Sequence, residues 1–127
     1  MIVVDLHEPD ELKQIADEIK DLGFDYLITG SERTYIIERK TLVDLVGSIR
    51  SRDSKVKDRL FEQLLRIKNI ENEMRAEGKE AYAILVVEGN HFKRYNARFA
   101  KMTPQQWMGI QAKVVEMGIG MIRTWTI

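Results

Sequence analysis

The chain contains no cysteine, which excludes disulfide frameworks, thiolate zinc sites and cysteine nucleophiles together. It has 2 prolines in 127 residues and no repeat, linker or low-complexity stretch, so a single domain over residues 1–127 is expected. It lacks any apolar run near the ~20 residues that cross a bilayer. The opening MIVVDLHE meets charge too early for a signal peptide, so no membrane partner and a cytoplasmic location are expected. It also lacks net charge, with 20 acids against 20 bases.

The two halves are nevertheless unlike. Residues 1–48 carry eleven acids and five bases, a net of −6, whereas residues 49–127 carry nine acids and fifteen bases, a net of +6. Such an asymmetry points to an anionic partner for the basic side.

Hydrophobic periodicity gives the order β-α-β-β-α-α-β-α-β. MIVVDL reads as a buried strand. Pro9 opens a helix whose apolar face is Leu12, Ile15, Ala16, Ile19 and Leu22, with Gly23 as its stop. Residues 25–29 and 34–39 form a hairpin about Gly30. Thr41 and Asp44 have capping-box spacing at the start of the next helix. The charged residues 50–58 read as a loop or frayed helix start before a long helix from about 56 to 77. YAILVVE at 82–88 reads as a strand buried on both faces. Residues 90–101 read as a basic loop, Thr103-Pro104 as a helix start, and 121–127 as a last strand. Strands interleaved with helices imply a mixed sheet with helices packed on its faces.

Chemistry concentrates at Asp25 and at Glu38-Arg39-Lys40. Strand alternation puts Glu38 and Lys40 on one face and Arg39 on the other. Asp25 opens the partner strand, so its carboxylate comes within reach of Glu38. Two carboxylates can hold Mg²⁺ or Mn²⁺. A nearby ammonium can orient an attacking water or stabilise the charge that builds on a phosphate. Asp25, Glu38 and Lys40 are therefore the candidate catalytic residues.

The ordered set Asp25-Tyr26, Ile37-Glu38-Arg39-Lys40-Thr41 and Asp44 resembles the XPF-type structure-specific endonucleases, within the PD-(D/E)XK restriction-like nucleases. Val3-Val4-Asp5 with Glu8, Ser48-Ile49, Arg59-Leu60-Phe61-Glu62-Gln63 and Ile84-Leu85-Val86-Val87-Glu88-Gly89 fall in the family's order too. The resemblance implies an α/β domain with a restriction-endonuclease-like mixed central β-sheet flanked by helices. It implies a Mg²⁺- or Mn²⁺-dependent endodeoxyribonuclease that cuts branched DNA (flap, fork or junction) in repair or recombination. It also implies a homodimer and a nucleoid-associated location.

Carried over residue by residue, Asp25, Glu38 and the backbone carbonyl of Arg39 are the metal ligands and Lys40 is the catalytic lysine. Asp5, Glu8 and Asp44 line or support the site, and Arg59 and Gln63 lie near the scissile phosphate or the active-site wall. Departures from the family are Phe24 in place of glycine, His7 in place of arginine, and a longer charged stretch between Ile49 and Arg59. No helix-hairpin-helix module is detected, and Gly118-Ile119-Gly120 reads as a strand-entry turn.

Other readings compete. Asp44 can serve purely as the capping-box acid, Glu8 as a complement to a helix dipole, and Arg39 as an ion pair beneath the sheet. His7 and His91 lack metal-site spacing. The bases Arg50, Arg52, Lys55, Lys57 and Arg59 form a candidate DNA-contacting run, with Lys93 and Arg94 as a second patch. Zero net charge implies weak non-specific DNA binding and targeting through a separate DNA-binding partner. The alternative function is a non-catalytic nuclease-like module that binds DNA or a partner.

Overall fold

The structure, a computed structural model, describes residues 1–42, 44–45, 54–89 and 104–124. Its strands are β1 (Ile2–Asp5), β2 (Glu18–Lys20), β3 (Tyr26–Thr29), β4 (Arg33–Thr41), β5 (Glu80–Glu88) and β6 (Gly120–Thr124). Its helices are α1 (Asp10–Lys13), α2 (Ser54–Ala76) and α3 (Pro104–Glu116). A further helical turn includes Leu42, Asp44 and Leu45. The six strands form one mixed sheet in the order β2-β1-β3-β4-β5-β6. β3 is antiparallel to both β1 and β4, while β1–β2, β4–β5 and β5–β6 are parallel. With helices against the sheet, this is the restriction-endonuclease-like mixed α/β class that the sequence implied.

Alternation along the strands sorts the core into two layers. Ile36, Ala81, Ala83, Leu85 and Val87 face Leu60, Leu64 and Ile67 of α2, together with Leu42, Leu45, Ile110 and Val114. The opposite face carries a smaller cluster of Val4, Leu12 and Tyr26, with Ile2, Ala16 and Ile37 against it. β5 therefore alternates between buried and half-buried side chains. The sequence reading of a strand buried on both faces is corrected: helices cover one face of β5, and Tyr82, Ile84 and Val86 are only half-buried on the other.

Glu71 fastens α2 to the sheet. Its carboxylate, 4% exposed, accepts the Ala83 backbone N–H at 2.9 Å and pairs with Lys68 and Arg75, each at 3.1 Å. Gly78, at φ +85, closes α2 as expected, and Gly118, at φ +72, turns the chain out of α3 towards β6.

The expected helix over residues 10–22 is replaced by the single turn of α1 and the edge strand β2. Ile15 and Ile19, placed on that helix's apolar face by spacing, are 58% and 47% exposed. The outer edge of β1 supplies a better backbone partner. Asp17 N–H donates to the Ile2 carbonyl at 2.8 Å, and Leu6 N–H donates to the Lys20 carbonyl at 2.8 Å. Gly23, at φ +76, is thus a turn into β3 rather than a helix stop. α2 also begins earlier than expected, at Ser54, because a charged segment rich in lysine and arginine has adequate helix propensity. Among the described residues no helix is long and apolar enough to cross a membrane.

Candidate active site

The hairpin register sets Tyr26 opposite Ile37, so Asp25 lies opposite Glu38 where the ladder ends. Asp25 N–H donates to the Ile37 carbonyl at 3.1 Å, and this is the last rung. Beyond it the Asp25 side chain takes over: Arg39 N–H donates to Asp25 Oδ2 at 2.7 Å. The Arg39 carbonyl shares the strand side of its own N–H and of the Ile37 carbonyl. It therefore points past the end of β3, toward the Asp25 carboxylate.

Three carboxyl groups meet here. Glu8 and Glu38 both come close enough to Asp25 to perturb its acidity. Glu38 is buried at 6% exposure on the helix-covered face of β4, two residues from Lys40 on the same face. Burial is the first cause of the perturbed acidity of all three. It pushes Glu8 up to about 7, with the hydrogen bond and charge of Asp25 adding and Arg39 opposing. It raises Asp25, helped by the charge of Glu38 and opposed by the hydrogen bonds from Glu8 and the Arg39 N–H. It raises Glu38, with Lys40 and Arg66 pulling the other way. Glu8 therefore holds a proton up to about pH 7, and in that state it can donate to Asp25.

Glu8 also reaches beneath the sheet. Arg39 Nη2 meets Glu8 Oε2 at 2.9 Å, and Arg39 Nη1 meets Glu88 at 3.1 Å. Tyr26 Oη donates to Glu8 Oε2 at 3.4 Å. The ion-pair reading of Arg39 is thus the observed one, and Glu8 is not a helix-dipole complement.

Asp5 stands apart from this trio. Its Oδ1 accepts Leu22 N–H at 2.9 Å, and its Oδ2 accepts His7 N–H and pairs with His7 Nδ1, both at 3.1 Å. Burial disfavours its charge, but these contacts outweigh burial and hold its pKa below the usual value. Asp5 thereby shapes the turns at His7 and Leu22, while its N–H donates to the Asp25 carbonyl at 2.9 Å. Ligand atoms of Asp5, His7 and Asp21 lie within 4.8 Å of one another, so His7, read from spacing as a non-ligand, stands in a grouping able to hold a cation.

Asp44 is exposed, and its N–H donates to Thr41 Oγ1 at 3.1 Å, the cap expected from spacing. Arg59 is exposed on α2. Among the described residues, buried Gln63 Oε1 has no hydrogen-bond partner. Lys55 and Lys57 lie in the first turn of α2. Arg50, Arg52, Lys93, Arg94 and His91 lie outside the described residues. Arg66 did not stand out in the sequence, and Glu88 entered only within the run that falls in the family's order. The spacing of Arg59, Gln63 and Arg66 along one helix stripe is the signal that would have found Arg66.

The donor set fits a hard divalent cation. It consists of carboxylate and carbonyl oxygens, and mutual repulsion among the acids leaves them short of positive charge.

The family model of the ERCC4 domain matches residues 4–126, nearly the whole chain. No curated protein matches it. The chain belongs to the ERCC4 domain family, the XPF-type nuclease domain, whose members act on DNA and generally use divalent metals.

Proposed function

We propose that this chain is an endonuclease that hydrolyses phosphodiester bonds in branched DNA, with Asp25, Glu38 and Lys40 as its catalytic residues. The observation that carries this reading is the seating of Asp25 between Glu8 and Glu38, with Lys40 two residues along the same strand. Asp25, Glu38 and the Arg39 carbonyl would hold Mg²⁺ or Mn²⁺. When bound, the cation supplies charge neutralisation at the phosphate and acidifies water.

The chain's own groups do the rest. Lys40 donates hydrogen bonds to the attacking water or to a phosphate oxygen and stabilises the extra negative charge of the transition state. Water oxygen bonds to phosphorus and gives up a proton to solvent, one ester P–O bond breaks, and the leaving oxygen takes a proton from solvent. Glu8 holds Asp25 in place from one side and is itself held by Arg39 from below.

Selectivity for flaps, forks or junctions follows from family resemblance, as does a homodimer. Exposed Leu65, Met108 and Val115 on α2 and α3 offer apolar surface for a second copy, and light scattering tests that arrangement. Net charge of zero leaves targeting to a separate DNA-binding partner.

The test is a cleavage assay on linear, flap, fork and four-way DNA with Mg²⁺, Mn²⁺ or EDTA. Cleavage of branched substrates that vanishes in EDTA and in Asp25→Asn and Lys40→Ala supports the proposal. Folded wild-type protein that binds DNA without cutting it in either metal leaves the non-catalytic binding module standing instead.

A further inference from the structure

We infer that Arg66 is a DNA-phosphate-binding residue of this site, gripping a backbone phosphate beside the one that is cut. The inference rests on the nuclease reading and extends it to the substrate's path.

Arg66 lies in the C-terminal half of α2, the helix that covers the Glu38 face of the sheet. Its Nη1 donates to the Gly23 carbonyl at 3.0 Å, two residues before Asp25. Glu38 and Lys40 stand on the face of β4 that this helix covers. Two cations from different elements therefore serve the helix-covered side of the sheet, Lys40 from β4 and Arg66 from α2.

A structural staple to Gly23 explains one hydrogen bond, and among the described residues the rest of the guanidinium makes none. The fork has five N–H donors and suits the oxygens of a phosphate. The side chain is exposed, so such an anion can reach it. Binding the Gly23 carbonyl fixes the head next to the carboxylates and lowers the entropy lost when a phosphate docks.

Arg59 and Gln63 occupy the same stripe, seven and three residues earlier. The rise from Arg59 to Arg66 is about 10 Å along the helix. At roughly 3.4 Å of rise per phosphate in one strand, the two arginines meet phosphates about three nucleotides apart. A DNA strand running along α2 would thus meet both arginines.

The experiment measures binding of a flap DNA by fluorescence anisotropy in Ca²⁺ over a range of salt, for wild type, Arg66→Ala and Arg66→Lys. A series of otherwise identical DNAs carries one neutral methylphosphonate, moved along the strand. Arg66→Ala is expected to weaken binding about tenfold and to lower the slope of log K against log salt by about one. Arg66→Lys is expected to keep the slope. One methylphosphonate position should weaken wild type and leave Arg66→Ala unaffected, a result that loss of the Gly23 staple cannot produce.

An unchanged salt slope, or no position whose effect depends on Arg66, overturns the inference. Absence of DNA binding by folded wild type overturns it as well. Failure of the nuclease reading is seen separately, as wild-type binding without cleavage in Mg²⁺ or Mn²⁺, and the methylphosphonate comparison still decides the role of Arg66.

Discussion

Asp25 Oδ2 accepts the Arg39 backbone N–H at 2.7 Å, where the next backbone acceptor would stand if β3 ran one pair further. A carboxylate substitutes for a carbonyl in the ladder, and this brings one acid to the strand end. The same substitution exposes it to Glu8 and Glu38. Stability and chemistry therefore oppose each other at this position.

Asp25→Asn keeps an oxygen for the Arg39 N–H and removes one of three crowded carboxyl groups. Calorimetry of the metal-free protein is expected to give a higher melting temperature for the variant, by roughly 1 kcal/mol of stability, the usual size of such a relief. Cleavage should fall to background. A lower melting temperature would mean that the hydrogen bonds of the carboxylate outweigh the repulsion.

The pH dependence of stability follows from Glu8. It ionises at 4.5 when unperturbed and at about 7 in the folded chain. The folded protein binds the extra proton between these values. The contribution of Glu8 to stability is accordingly full below 4.5, is lost as pH rises through the window up to about 7, and stays lost above it. Asp5 acts with the opposite sign, losing its contribution as the pH drops below its usual value of 3.8. Denaturant melts from pH 5 to 8 check the Glu8 part, and Glu8→Gln should flatten them.

Cation binding should release protons, because burial raises the pKa of both carboxylate ligands and Glu8 beside Asp25 keeps its proton up to about pH 7. Affinity for Mn²⁺, measured by calorimetric titration, is expected to rise between pH 6 and 8 and to collapse in Glu38→Gln. A pH-independent affinity would place the cation elsewhere, and the grouping of Asp5, His7 and Asp21 would be the next place to look.

Arg39→Ala leaves Glu8 and Glu88 without their shared guanidinium. Breaking a buried pair on one side typically costs about 3–5 kcal/mol. Urea melts should show a loss of that order at neutral pH and a smaller one in acid, where Glu8 is neutral. An equal loss at both pH values would assign the effect to packing of the side chain.

Glu71→Ala removes the acceptor of the Ala83 N–H. A buried donor left without a partner costs about 1–3 kcal/mol. Glu71→Gln, which retains an acceptor oxygen, should recover part of it, and chemical denaturation distinguishes the two.

The hairpin, the long helix and the Thr41 cap were legible because each is specified by residues close in sequence: Gly30 between two β-branched runs, Leu60, Leu64 and Ile67 at helical spacing, and a hydroxyl three residues before Asp44. Asp25 and Glu38 were legible as a pair for the same reason. The region of Ile15 and Ile19 was misread because its helical spacing is real, yet a free edge on β1 captured the chain as β2. Contacts such as Arg39–Glu88 and Arg66–Gly23 join residues 49 and 43 apart, and no local pattern announces them. Asp5 looked functional because a buried acid needs a partner, and its partners proved to be turn N–H groups that spacing does not reveal.

The link from Gly30 to Glu32 acts as a ruler for the whole centre. Since β4 is locked to β5 in parallel alignment, an extra residue in that link would displace β3 by one step and turn Asp25 to the reverse side of the sheet. The fold could survive such an insertion while the acids parted company. Length in a solvent-facing bend, where most proteins accept variation freely, is here as constrained as the identity of an acid.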